Sequence, residues 1–69
     1  MTPSEIAASL AAIAKTRNLT QSAISEKSGV PQGTISRVLS GKVAANIETL
    51  CRIADAVGAE IIVNLKLIK

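Results

Sequence analysis

The chain contains no phenylalanine, tyrosine or tryptophan. Its core must therefore be built from Ile, Leu, Val and Ala, which suits small helices packed closely together. The same absence removes any platform on which unpaired bases could stack, which argues against single-stranded nucleic acid and RNA loops as ligands. Histidine is also missing, and Cys51 is the only cysteine. An intrachain disulfide is thus excluded, and one thiol without imidazoles cannot build a structural zinc site. The five acids are scattered, with no paired constellation beside a nucleophile. The expectation is a non-enzymatic protein with no cofactor and no small-molecule substrate. No apolar run approaches the roughly 18 residues of a membrane span. The opening residues 1–5 carry one acid and no Lys or Arg, a poor signal peptide, so no membrane partner is expected. An unpaired cysteine fits a reducing, cytoplasmic location.

What is present is a short, apolar, basic chain. Its 69 residues allow one domain, and 48% of them are hydrophobic, ample for a small core. Domains of this size often need a staple or a second subunit, and dimerisation is the device left open. The net charge of +3 is concentrated. Residues 15–42 hold Lys15, Arg17, Lys27, Arg37 and Lys42 against the single acid Glu26, a net +4, while the flanks are close to neutral. Such a distribution suits a phosphate backbone, although a solvated surface gives the same count.

Four helices are predicted. Thr2-Pro3-Ser4-Glu5 is a capping box with proline at the first helical position, and Ile6, Leu10 and Ile13 follow at helical spacing until Thr16-Arg17-Asn18. Thr20 caps a second helix to about Ser28, with Ile24 inward and Gly29 turning the chain. A third runs from near Gln32 to about Leu39, with Ile35, Val38 and Leu39 inward, and Ser40-Gly41-Lys42 closes it. Asn46 caps a fourth, from about Ile47 to Val57, whose stripe is Ile47, Leu50, Ala54 and Val57. Cys51 falls beside that stripe and is expected as a small core residue rather than a redox switch.

Gln21 to Val38 carries the specific signal. Counted from Gln21, the fifth residue is the small Ser25 and the ninth is Gly29; Ile24, Val30, Ile35 and Val38 stand fourth, tenth, fifteenth and eighteenth. Two steeply crossing helices leave room only for a small side chain where they touch. The ninth residue must turn the chain, often at positive φ. The branched residues wedge both helices into one unit.

With Leu19-Thr20-Gln21, Gly29 to Arg37, Ser40-Gly41-Lys42, Glu48-Thr49-Leu50 and Ile53 to Gly58, residues 5–58 resemble the lambda-repressor/Cro-like (XRE-type) helix-turn-helix family. The resemblance implies that the third helix enters the major groove. It puts Gln32, Gly33, Thr34, Ser36 and Arg37 at base edges, where Gln suits adenine, Arg suits guanine, and Gly33 permits close approach. It puts Arg17, Thr20, Gln21, Lys42 and Lys15 at phosphates. Ser28 departs from the pattern, where an apolar residue is usual, so the second helix is expected to pack loosely there. Pro31 departs too, since it cannot cap through its side chain.

The tail is the third departure. Ile61, Val63, Leu65 and Leu67 alternate with Glu60, Asn64 and Lys66, and β-branched residues are frequent, which favours a strand. A fifth helix also fits, through Ile61, Ile62, Leu65 and Ile68. A lone strand cannot satisfy its own backbone, and no second strand is visible in the chain. The same segment of a twofold-related copy is the natural partner. This ending is similar to HipB-type antitoxins.

The expectation is thus a mainly α, four-helix lambda-repressor-like domain over residues 1–58. Residues 59–69 form a C-terminal β-strand that pairs across a homodimer through Ile61, Val63, Leu65 and Leu67. Its expected function is a sequence-specific double-stranded DNA-binding repressor of phage-like or autoregulatory type, nucleoid-associated, on an inverted-repeat operator. Alternatives are an antitoxin that also binds a toxin protein, and an interaction module without DNA binding.

Overall fold

Side-chain caps set where the helices begin in the computed structural model, which describes residues 2–62 and 65–67. The elements are α1 (Pro3–Thr16), α2 (Gln21–Ser28), α3 (Gln32–Leu39) and α4 (Ile47–Ala56). At α1 the Thr2 hydroxyl oxygen accepts the Glu5 N–H at 3.2 Å, and Glu5 Oε1 accepts the Thr2 N–H at 3.2 Å, closing the capping box. Thr20 Oγ1 accepts the Ala23 N–H at 3.0 Å, and Asn46 Oδ1 accepts the Thr49 N–H at 2.8 Å. At α3, Pro31 makes no side-chain cap bond.

The ends are as well determined. Beyond α1, Asn18 takes φ 56°. The Leu19 N–H reaches back to the Ala14 carbonyl at 2.9 Å, a Schellman turn. Beyond α4, the Ala59 N–H reaches the Ala54 carbonyl at 2.8 Å, with Gly58 at φ 79°. The positive φ calls for glycine here, whereas the Arg17 guanidinium, which a Cβ would meet at 2.6 Å, is the end of a flexible exposed side chain and can swing aside.

The core gathers Leu10, Ile24, Val30, Ile35, Val38, Leu50, Ile53 and Val57 with the alanines Ala7, Ala14, Ala54 and Ala56. Both α1 and α2 pack on α3 and α4. In a core without aromatic residues, these small side chains let the helix axes approach closely, which keeps the packing dense. Among the described residues no helix is long and apolar enough to cross a membrane.

Four expectations are corrected. Cys51 is exposed, because the buried arc of α4 is Leu50, Ile53, Ala54 and Val57, and Cys51 lies one helical step outside it. Ile47, in the first turn of α4, is 54% exposed and stands off the core. Ser28 does not loosen α2; its hydroxyl oxygen accepts the Val30 N–H at 3.1 Å and serves the turn. In the tail, no strand is present among the described residues, nor a fifth helix. A strand is defined by its hydrogen-bonded ladder, and the expected ladder partner was a second copy, which a single chain does not supply. Ile61 is half-buried against the core, whereas Leu65 and Leu67 are 94% and 88% exposed. Val63, assigned with them to dimerisation, lies outside the described residues.

Candidate nucleic-acid interface

The corner between α2 and α3 is held by two serines. Ser25 Oγ donates to the Val30 carbonyl at 2.6 Å, while Ser28 Oγ accepts the Val30 N–H. Val30 is buried, and both of its backbone polar groups are thereby satisfied without water. Gly29, at φ 74°, makes the turn itself and donates its N–H to the Ser25 carbonyl at 2.9 Å. Ser25 is thus small enough for the helix crossing and also a donor that fixes the corner.

This corner sets the start of α3. Ile35 and Val38 are buried, which turns Gln32, Gly33 and Arg37 to solvent, with Thr34 and Ser36 half-buried at the edges. A Cβ added to Gly33 would lie 3.7 Å from Arg37 Nη1, so the Arg37 guanidinium folds back over the first turn of the helix. With Pro31 offering no side-chain acceptor, the first N–H groups of α3 are not capped by a side chain. The helix presents uncapped donors, the positive end of its dipole and a guanidinium together, a combination that favours an electronegative surface.

The flanking residues divide into two groups. Lys15, Gln21 and Ser40 line one groove, which joins the end of α1 to the start of α2 and the end of α3. Thr20 stands beside Gln21, and its oxygen is used as the α2 cap while its O–H remains a donor. Lys42 is exposed, and its N–H is held by the Arg37 carbonyl at 2.9 Å, which ties it to α3. Arg17 is not in this group. It lines a separate groove with Lys27 and Asp55, its guanidinium against Gly58. Lys15 and Arg17 are near in sequence, yet about 200° apart around a helix that advances roughly 100° per residue. Ser40 was not singled out in the sequence, although it follows Arg37 by three positions on the same exposed face.

A family model described as Helix-turn-helix matches residues 10–62. The chain belongs to the helix-turn-helix family. That is the class which the pattern from Gln21 to Val38 resembles, and it is a class of double-stranded DNA binders. In this helix-turn-helix chain the match ends at Ile62, so it does not reach the rest of the tail. No curated protein and no solved structure matches it.

Proposed function

We propose that this helix-turn-helix protein is a transcriptional repressor that reads an inverted-repeat operator as a homodimer. The observation that carries the reading is the exposed first turn of α3, with Gln32, Gly33 and Arg37 at an uncapped helix start. Gln32 and Arg37 read base edges, Gly33 gives close approach, and Thr34 and Ser36 make edge contacts. Lys15, Thr20, Gln21 and Lys42 hold phosphates on either side, and Ser40 joins them from the same groove as Lys15. Arg17 lies beside Gly58 in a different groove from Lys15 and is left out of the phosphate contacts. The tail supplies the dimer, which places two α3 helices one helical turn apart on the duplex. The protein works without cofactor or catalysis, in the compartment that holds the DNA.

Selection of bound duplexes from a random pool tests this. The expected product is an inverted repeat whose half-sites are centred about 10 base pairs apart or a multiple of that. A pool that stays random overturns sequence-specific reading, and enrichment of a lone half-site overturns the dimer. The antitoxin reading is favoured by one observation, the exposed apolar residues Val43, in the loop before α4, and Ile47, at its first position. Co-purification of a protein encoded beside this one supports it, and purification alone speaks for a simple repressor.

A further inference from the structure

We infer that Gly33 is a positioning residue for Arg37: by carrying no side chain it lets the Arg37 guanidinium lie over the first turn of α3, and so sets which base pair that guanidinium reads. This rests on the DNA-reading proposal above and deepens it. The starting observation is a glycine that the fold does not explain. Gly29, Gly41 and Gly58 take positive φ, and Gly33 does not. It stands exposed in the first turn of α3, on helical backbone. Outside its own helix backbone and its chain neighbours, the one atom that a Cβ would meet within 4 Å is Arg37 Nη1, at 3.7 Å. Glycine inside a helix is less stable than alanine, and nothing in the packing of α3 offsets that loss.

The offsetting gain lies with Arg37. A long side chain on a helix leans toward the N-terminus, onto the turn before its own. Gly33 precedes Arg37 by four residues on the same face, a rise of roughly 6 Å. The guanidinium is thereby carried from the middle of α3 to the level of its first turn, beside Gln32, the other proposed base reader. It makes no ion pair among the described residues, so its donors stay free for a ligand. Side chains four apart on a helix are neighbours. A long side chain at position 33 would occupy the strip of surface on which the guanidinium lies and push it off the first turn. A methyl group would not, because 3.7 Å is an ordinary contact. The requirement at position 33 is thus for a small residue, and what it protects is the reach of Arg37.

A double-mutant cycle in the full chain tests this, with Gly33→Ala, Gly33→Leu, Arg37→Ala and the pair Gly33→Leu with Arg37→Ala. Fluorescence anisotropy measures binding to the duplex that the wild type selects from a random pool. Circular dichroism follows the fold, and both Gly33 variants are expected to melt higher than the wild type, since each removes a helical glycine. Gly33→Ala is expected to bind like the wild type. Gly33→Leu is expected to weaken binding about 5- to 50-fold and, in a fresh selection, to lose the same base preference that Arg37→Ala loses. In the Arg37→Ala background the leucine is expected to cost less than about 2-fold, because the group it displaces is gone. An equal penalty in both backgrounds overturns the inference and leaves Gly33 making room for the duplex itself. A loss with alanine as large as with leucine overturns it too. A wild type that selects no sequence overturns the DNA reading, and this inference with it.

Discussion

Ser25 and Arg37 are where single side chains matter most. Ser25 Oγ donates to the carbonyl of the buried Val30, and alanine at this position leaves that carbonyl with no partner. An orphaned buried acceptor costs about 1–3 kcal/mol. Ser25→Ala is expected to lower the unfolding free energy by that amount in a urea titration, and an unchanged midpoint excludes the bond. The sequence revealed the size requirement at Ser25 because crossing helices impose it wherever the motif occurs. It did not reveal the donor, because the acceptor arrives only when the Gly29 turn carries Val30 back over α2. At Arg37 the energetic consequence is in binding. Removing a bidentate guanidinium–guanine contact costs about 1–3 kcal/mol and relaxes preference at one base pair. Arg37→Ala is expected to weaken the selected operator by this amount and to leave random duplex nearly unaffected. Equal weakening of both assigns Arg37 to phosphate.

Helix starts and stops were legible because they depend on residues close in sequence. Thr2, Thr20 and Asn46 cap as read, and Gly29 and Gly58 turn the chain as read. Burial on α4 was less legible: helical spacing defines an arc, but the neighbouring helices decide where its edges fall, and Cys51 and Ile47 lie outside. The capping box of α1 has a pH signature. The Thr2 backbone N–H, and after it the Thr2 side chain, hold the Glu5 carboxyl below its ordinary value. A folded-state value below the unfolded one adds stability that is present above the unfolded value and is lost as pH falls through the folded one. The Glu5 amide should therefore exchange faster as pH drops below the usual carboxylate range, after correction for intrinsic exchange. Glu5→Gln should remove that dependence, and a pH-independent ratio between the two proteins argues against the box. At the other end of α1, Lys15 and Arg17 looked equivalent because sequence proximity hides their opposite directions. Lys15→Ala is expected to reduce the salt slope of DNA binding by about 0.9, one phosphate, and Arg17→Ala to leave it unchanged. A loss of slope in the Arg17 variant returns that residue to the phosphate contacts.

At the scale of the whole molecule, the helical domain and the tail answer different questions. The domain buries its own core, and the proposed reading face on α3 lies within one chain. The tail leaves Leu65 and Leu67 uncovered, and the proposed second copy is what would cover them. Its conformation could not be read from one chain, since a ladder depends on what lies beside it and not on the segment alone. In the proposed complex dimerisation also bears on affinity, because a single α3 in a major groove spans only a few base pairs. Linking two such contacts raises overall affinity by roughly 100- to 10,000-fold through effective concentration. Removing residues 63–69 separates the two roles cleanly. The cut keeps Ile61 on the α1 groove and so spares the domain core. The shortened protein is expected to retain its helical circular dichroism and cooperative melting, to sediment as a monomer, and to bind the full operator at least about 100-fold more weakly. It should bind a single half-site about as well as the full operator. If it stays dimeric, the interface lies elsewhere, and the exposed Val43 of the α3–α4 loop with Ile47 at the start of α4 is the next surface to test. If it becomes monomeric with operator affinity intact, one α3 reads the site alone, and the inverted repeat has no part in recognition.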